Sequence, residues 1–224
     1  MPKELFDLVA ADYDSWYETE LGQTVDDAER KLAERMFKPT GVRVLEVGCG
    51  TGQYTTWLAR QGYEITAVDI SLEMMARAQA KMLSIGLKAE WLHADITKIL
   101  SKLGKFHGIF SLTAFEFIPN PEQVLQGLFN HLEPGGCLMI GVIAGDSPWG
   151  DFYQAVVKEN PGSVFAHAKF YTEEQIKDWQ IGGKLEIGKA LFFPPNVVSV
   201  AKALEMEGQA DRNPGFLTAK WVKV

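Results

Sequence analysis

Cysteine is nearly missing from this chain of 224 residues: Cys49 and Cys137 are the only two, far apart and outside any CxxC spacing. Two such residues make neither a disulfide scaffold nor a metal framework, and in apolar surroundings each reads as a small buried hydrophobe. No apolar run approaches the ~18 residues needed to cross a bilayer. The first residues, Met1-Pro-Lys-Glu-Leu-Phe-Asp7, lack a basic region followed by an apolar stretch, so no signal peptide is expected there. No run of Lys and Arg is long enough to track a phosphate backbone, and the net charge is −7. Counterion release needs clustered cations, so DNA is not an expected partner. These absences leave a reduced, soluble, cytoplasmic protein as the expectation. The length suits one domain, able to bury about 70% of the surface its unfolded chain exposes. The stretch Asp26–Arg35 carries mixed charge and reads as the wet face of a helix.

What is present is an alternation of helix and strand signals. Val25–Phe37 has helical spacing, and Pro39-Thr40-Gly41 breaks it. Val42–Val47 is a short β-branched run ending in glycines, the sign of a buried parallel strand. Further strands are expected at Ile65–Val68, Glu90–His93, Phe106–Leu112, Cys137–Ile143, Leu185–Phe192 and Gly215–Val224. Helices are expected at Tyr54–Arg60 and Leu72–Ser84, from Asn120 to near His131, from Thr172 to about Gln180, and over Val198–Met206. Ser71 is placed to cap the second of these, Asn120 the third, and Thr172 with Gln175 forms a capping-box pattern. Such alternation implies an α/β fold, a parallel sheet with helices on both faces. Ligands of such sheets bind beyond the carboxyl ends of the strands, at the switch point.

The first strand runs into Val44-Leu-Glu-Val-Gly-Cys-Gly-Thr-Gly52, three glycines on alternate positions. Glycine there permits a sharp turn and close backbone approach to a ligand. The spacing is GxGxG, whereas a dinucleotide-binding turn is GxGxxG, whose third glycine brings a helix N-terminus close to a diphosphate. A cofactor with a methionine part and no phosphate fits better. Asp69 stands 17 residues after Gly52 at the end of the second strand, where a carboxylate can accept both ribose hydroxyls. Asp95, in His93-Ala-Asp-Ile-Thr97, is either a reader of an adenine amino group, with Ile96 packed on the ring, or the N-cap of a short helix.

Together VLEVGCGTG, AVDIS and HADI resemble the first three motifs of the class I S-adenosylmethionine-dependent methyltransferases, particularly the small-molecule branch that includes quinone-biosynthesis enzymes. Phe106–Pro121 and Glu133-Pro-Gly-Gly-Cys-Leu138 resemble the family's fourth and fifth strand segments, so the likeness spans roughly residues 5–145. It implies a single Rossmann-like domain over 1–224, doubly wound and seven-stranded, mostly parallel with an antiparallel last strand. An N-terminal lid helix (about 1–38) and a small cap (about 144–171) would complete it. The implied cofactor is S-adenosylmethionine. Glu46 would orient its amino group, and Gly48, Cys49, Gly50 and Gly52 would present backbone to its methionine part. Asp69 would meet the ribose, Asp95 and Ile96 the adenine, Ile70 would also line the cofactor, and Thr113 would lie near the sulfonium. Tyr13-Asp-Ser-Trp-Tyr17 resembles the family's N-terminal YDxxY element, whose rings, Tyr13 and Tyr17, would either face the cationic sulfur or pack the lid.

Methyl transfer asks the protein mainly to position an acceptor and exclude water, with a base needed only when the nucleophile arrives protonated. Glu116, His167 and Tyr153 are the candidates for that base. Family members that bind a divalent metal carry acidic and histidine residues around the fourth-strand loop. Here the loop is Thr113-Ala-Phe-Glu-Phe117, and no metal is expected. His107 also departs from the family, replacing the Asp that opens the fourth strand, and His93 and His131 read as structural. The acceptor pocket is expected from the N-terminal helix and residues 144–171, with Trp149, Phe152, Tyr153, Phe165, Phe170 and Tyr171 favouring an apolar or aromatic small molecule. A protein or RNA acceptor, a module that binds S-adenosylmethionine without catalysis, and a nicotinamide-dependent oxidoreductase are the competing readings.

Overall fold

The computed structural model describes residues 4–224. Seven strands form one sheet: β1 (Arg43–Val47), β2 (Glu64–Asp69), β3 (Glu90–His93), β4 (Phe106–Leu112), β5 (Leu132–Ile143), β6 (Lys184–Ala190) and β7 (Phe216–Val222). Their order is β3-β2-β1-β4-β5-β7-β6, with β7 antiparallel to both neighbours and the other pairings parallel. This is the doubly wound sheet of the class I methyltransferases. After β1 the chain winds outward to β2 and β3, then returns to place β4 on the other side of β1. That reversal opens a crevice at the carboxyl ends of β1 and β4.

Ten helices flank the sheet among the described residues. They are α1 (Glu4–Asp7), α2 (Ser15–Glu18), α3 (Glu20–Met36), α4 (Gln53–Arg60), α5 (Leu72–Ser84), α6 (Ile96–Ile99), α7 (Pro121–Asn130), α8 (Pro148–Glu159), α9 (Glu173–Lys177) and α10 (Val200–Gln209). The core divides into two layers because side chains alternate along each strand. Val44 and Phe110 point to one face, with Leu32, Met36 and Leu58. Leu45 and Ile109 point to the other, with Leu125, Leu128 and Leu138. Burying a ring such as Phe110 contributes about 2–3 kcal/mol.

Caps define several helix starts as expected. Ser71 accepts from the Met74 N–H, and Thr172 and Gln175 make the full capping box. Asn120 occupies the N-cap position of α7 but makes no capping bond; it sits at φ 50, and Pro121 fixes the first turn instead. The N-terminal region is not one long helix: α1, α2 and α3 are separate, and α3 begins at Glu20, capped by Thr19. Helix α8 fills a region read as loop and cap. Its start signals are present in Ser147, which accepts from the Gly150 N–H, and Pro148 at the first turn. Only Trp149 and Gly150 of it are buried, so its apolar stripe is faint. β5 begins five residues earlier than expected, pairing Leu132 with Phe106 before a register shift around Pro134–Gly136.

Candidate active site

Loops after β1, β2, β3 and β4 enclose a cavity of about 130 Å³ over the crevice. The glycine turn forms one side of the wall. Asp69 organises it, accepting from the Gly50 N–H at 2.7 Å through one oxygen and from the Ser71 N–H at 2.9 Å through the other. Burial pushes the Asp69 carboxyl up, against the pull of these N–H groups. A carboxylate has roughly four lone-pair sites, so each oxygen keeps capacity for one further donor.

Two glycines of the turn are required for different reasons. Gly48 (φ +73) has no room for a side chain, since a Cβ there would lie 2.4 Å from the Ala114 Cβ. Gly50 (φ +53) lines the cavity and a Cβ there would meet nothing within 4 Å. Gly48→Ala should therefore destabilise the fold by about 2–4 kcal/mol, from left-handed strain plus overlap. Gly50→Asn tolerates the conformation and should leave the melting temperature nearly unchanged while weakening any ligand of the cavity. Calorimetric melting and titration of the two variants check this contrast.

Glu46 closes the floor. It is 3% exposed, its Oε2 has no partner, and burial pushes its carboxyl up to about 8. Ile70, Asp95 and Ile96 complete the far wall, with Thr113 where the cavity meets a second one. Asp95 spends one oxygen on the Thr97 N–H and hydroxyl, capping α6, and the other lies 3.4 Å from Lys98. The capping alternative is thus realised, and a cavity-facing role is compatible with it. Thr113 sits at φ 53, a strained conformation for a β-branched residue and an unanticipated feature of this junction.

The N-terminal segment lies across the mouth. Asp7 bonds the Ser71 hydroxyl, and Asp14 holds the Thr51 hydroxyl and pairs with Lys81 at 3.1 Å. Tyr13 and Tyr17 stand between the cavities and line both. Burial pushes the Tyr13 hydroxyl up to about 12, so it stays protonated.

The second cavity, about 370 Å³, is a chamber walled mainly by rings. Trp149, Phe152, Tyr153, Phe165 and Phe170 contribute as expected, joined by Phe6, Trp16 and Phe117. Tyr171 does not take part: it is buried elsewhere, its ring 5.1 Å from that of Trp179. Glu116 enters this chamber at 2% exposure. Its Oε1 accepts from the Ile143 N–H at 2.9 Å, its Oε2 has no partner, and burial pushes it up to about 7.

Three expectations need correcting. His167 is exposed, turned outward by the 3₁₀ turn Val164–His167, and lines neither cavity. Gly52 is off the wall, packed against Ala78 at the start of α4. The Asp26–Arg35 stretch is not wholly wet: Asp26 and Glu29 are buried, and Glu29 lines the chamber. The signal for Glu29 was its register, for it falls on the apolar stripe with Val25, Leu32, Ala33 and Met36. Among the described residues, no three His, Cys, Asp or Glu side chains are grouped to hold a metal ion, and no helix is long and apolar enough to cross a membrane.

This geometry has known counterparts. Residues 44–136 match the family model described as a methyltransferase domain. That match lies over the first half of the sheet, and the strand order above is that of the class I methyltransferase fold. Similar curated proteins include the ubiquinone biosynthesis O-methyltransferases of Xylella fastidiosa (strain 9a5c), 32% identical over 105 residues, and Xanthomonas axonopodis pv. citri (strain 306), 28% identical over 108 residues. Those matches cover 46% and 48% of this chain, which spans only 43% and 45% of those proteins. A solved structure from Thermotoga maritima, described as a SAM-dependent methyltransferase and possible histamine N-methyltransferase, superposes with a TM-score of 0.76. It is 19% identical, with 98% of this chain and 99% of that one covered, and shares the fold.

Proposed function

We propose that this protein is an enzyme that moves the methyl group of S-adenosylmethionine to a small apolar or aromatic molecule. The observation that carries the reading is the pair of adjoining cavities, one set among the loops after four parallel strands with Glu46, Asp69, Asp95 and the glycine-turn backbone on its wall, the other walled mainly by rings, meeting at Tyr13, Tyr17 and Thr113. The first cavity fits the cofactor. The unpartnered Glu46 oxygen suits its amino group, and the free capacity of Asp69 suits two ribose hydroxyls. The turn from Gly48 through Cys49 to Gly50 offers backbone to the methionine part; Ile70, Asp95 and Ile96 suit the ribose and adenine.

When bound, the sulfonium supplies a methyl carbon activated for in-line displacement, with a neutral thioether as leaving group. This chain's residues do the rest. The rings exclude water and position the acceptor. Tyr13 and Tyr17 present aromatic faces toward a cation, an attraction of about 0.5–2 kcal/mol. Glu116 is the base for an acceptor that arrives protonated, since its carboxyl is poised near neutrality at the chamber wall. Tyr153 is a less apt base, because burial holds its hydroxyl well above the usual range; it serves as a wall and a hydrogen-bond donor. A cytoplasmic location agrees with Cys49 and Cys137 being free and buried.

Isothermal titration with S-adenosylmethionine, S-adenosylhomocysteine and NAD tests the cofactor. Binding in the micromolar range by the first two and none by NAD is expected; NAD binding alone would refute the reading.

A further inference from the structure

We propose that the chamber selects an amine as methyl acceptor: an apolar, aromatic-sized body with one basic nitrogen, held as its ammonium form by Glu116 and Glu29. This rests on the function proposed above and names the acceptor class for the same site.

The chamber holds an unusual charge pattern. Two carboxyl side chains, from α3 and from the loop after β4, enter a space otherwise walled by rings and aliphatic groups. Among the described residues no lysine, arginine or histidine lines it. Among the described residues neither acid has a cationic partner to explain its burial. Arg30, the nearest guanidinium in sequence to Glu29, pairs with Asp26. Glu29 receives only a long contact, 3.4 Å, from the Tyr54 hydroxyl. Glu116 keeps one buried oxygen without a donor. A buried acceptor left bare is costly, so the wall is built for a ligand that brings donors or positive charge.

Acceptor chemistries differ in what they would meet there. A carboxylate would be repelled by both acids. A phenol could pass its proton to one acid, but its oxygen would then turn anionic beside the other, with no cationic side chain on the wall to offset it. An amine has the opposite course. It arrives as a cation, which two carboxylates and the faces of Tyr13, Tyr17 and Tyr153 favour. It then gives one proton to the Glu116 carboxylate, leaving a neutral nitrogen with a free electron pair and a neutral carboxylic acid. That pair forms the bond to the methyl carbon as the carbon–sulfur bond breaks and sulfur keeps its electrons. The product is an N-methylammonium, and the Glu116 proton passes to solvent when the product leaves.

The pH dependence follows from the same groups. Glu116 is faced by Tyr13, by Glu29 of α3, by Tyr153 of α8 and by Tyr171. Glu29 is faced by Asp26, Tyr54, Tyr13, Tyr17 and Tyr153, with Arg30 engaged at Asp26. Burial holds all these tyrosines above their ordinary range, so between pH 6 and 9 the titration belongs to the carboxyls. Glu116 is raised to about 7 and Glu29 to about 8. Below that window both are protonated and the chamber is neutral; above it they attract a cation.

The test is calorimetric titration of the full chain, alone and saturated with S-adenosylhomocysteine, which lacks the sulfonium charge, using three matched probes: 2-(2-naphthyl)ethylamine, 2-(2-naphthyl)ethanol and 2-naphthylacetate. At pH 8 the amine should bind at least about tenfold tighter than the alcohol, with the acetate weakest. That advantage should shrink to about threefold or less at pH 6, and in Glu116→Gln at pH 8. Glu29→Gln should reduce it as well, with alcohol binding unchanged in both variants, which also reports that the chamber is intact. The amine failing to bind, or binding no better than the alcohol, would overturn the proposal, as would an advantage independent of pH or of both carboxyls. Binding of S-adenosylhomocysteine with no amine preference would sink this inference and leave the methyltransferase reading standing. No binding of S-adenosylhomocysteine would remove that reading, and the amine with it as a methyl acceptor.

Discussion

Asp69→Ala should lower the affinity for S-adenosylhomocysteine by at least about 100-fold, through two losses that act together. The first is direct, because the carboxylate that would accept the ribose hydroxyls is gone. The second is architectural. Asp69 fastens the glycine turn to the end of β2 through the Gly50 N–H, and the start of α5 through the Ser71 N–H. Without it both donors lose their partner, and the backbone that lines the cavity is free to move. Asp69→Asn separates the contributions: one oxygen remains to hold one N–H while the charge and the second acceptor are lost. A drop of roughly tenfold is expected for it. Titration calorimetry reads both variants, and a melting curve shows how much of each loss is structural. Asp69→Ala binding within a factor of three of the unaltered protein would exclude Asp69 as the ribose contact.

The three buried acids of the site make a large prediction about stability. Glu29 and Glu46 are raised to about 8 and Glu116 to about 7, each mainly by burial, from an ordinary value of 4.5. A folded-state value above the unfolded one means the folded protein retains protons that the unfolded chain has released. Stability therefore falls as pH rises from about 4.5 through 7 to 8, and levels off beyond. At ~1.4 kcal/mol per unit these shifts amount to at most about 5 kcal/mol for Glu29 and for Glu46 and about 3.5 kcal/mol for Glu116. Scanning calorimetry between pH 5 and 9 should show the melting temperature declining across that window. Glu46→Gln and Glu116→Gln should each flatten the decline and raise the melting temperature at pH 8.5 by several degrees. A melting temperature that holds or rises from pH 6 to 8.5 would show that these carboxyls ionise freely. Ligands that pair with the acids should restore stability at high pH, which links this measurement to the acceptor proposal.

Much of this was legible along the chain, and the reasons are local. β1 and β4 are buried strands flanked by turns, and their apolar runs mark them within a residue. Ser71 and Thr172 announce helix starts because their caps are bonds to the residue three positions on. The glycine turn could be read from Gly48 and Gly50 because close approach and left-handed backbone are properties of the residue itself. Helix α8 escaped because it buries almost nothing of its own, and the bulge in β5 because a register shift depends on the partner strand β4.

The second cavity is a product of distance. Glu29, Glu116, Tyr153 and Tyr17 lie on four separate segments, and no spacing along the chain tells that their side chains share one chamber. His167 and Tyr171 had the same sequence credentials as Phe165 and Phe170, yet a 3₁₀ turn and a buried ring packed on Trp179 remove them. The sequence by itself determined the order of strands and helices, the glycine turn and the acid at the end of β2, since these depend on backbone freedom, periodicity and short-range bonds. Only the tertiary structure decided which acids are stripped of water, because burial is set by what packs around a group from elsewhere in the chain. For Glu29 and Glu116 that packing turned two ordinary carboxyls into groups poised to titrate near neutrality.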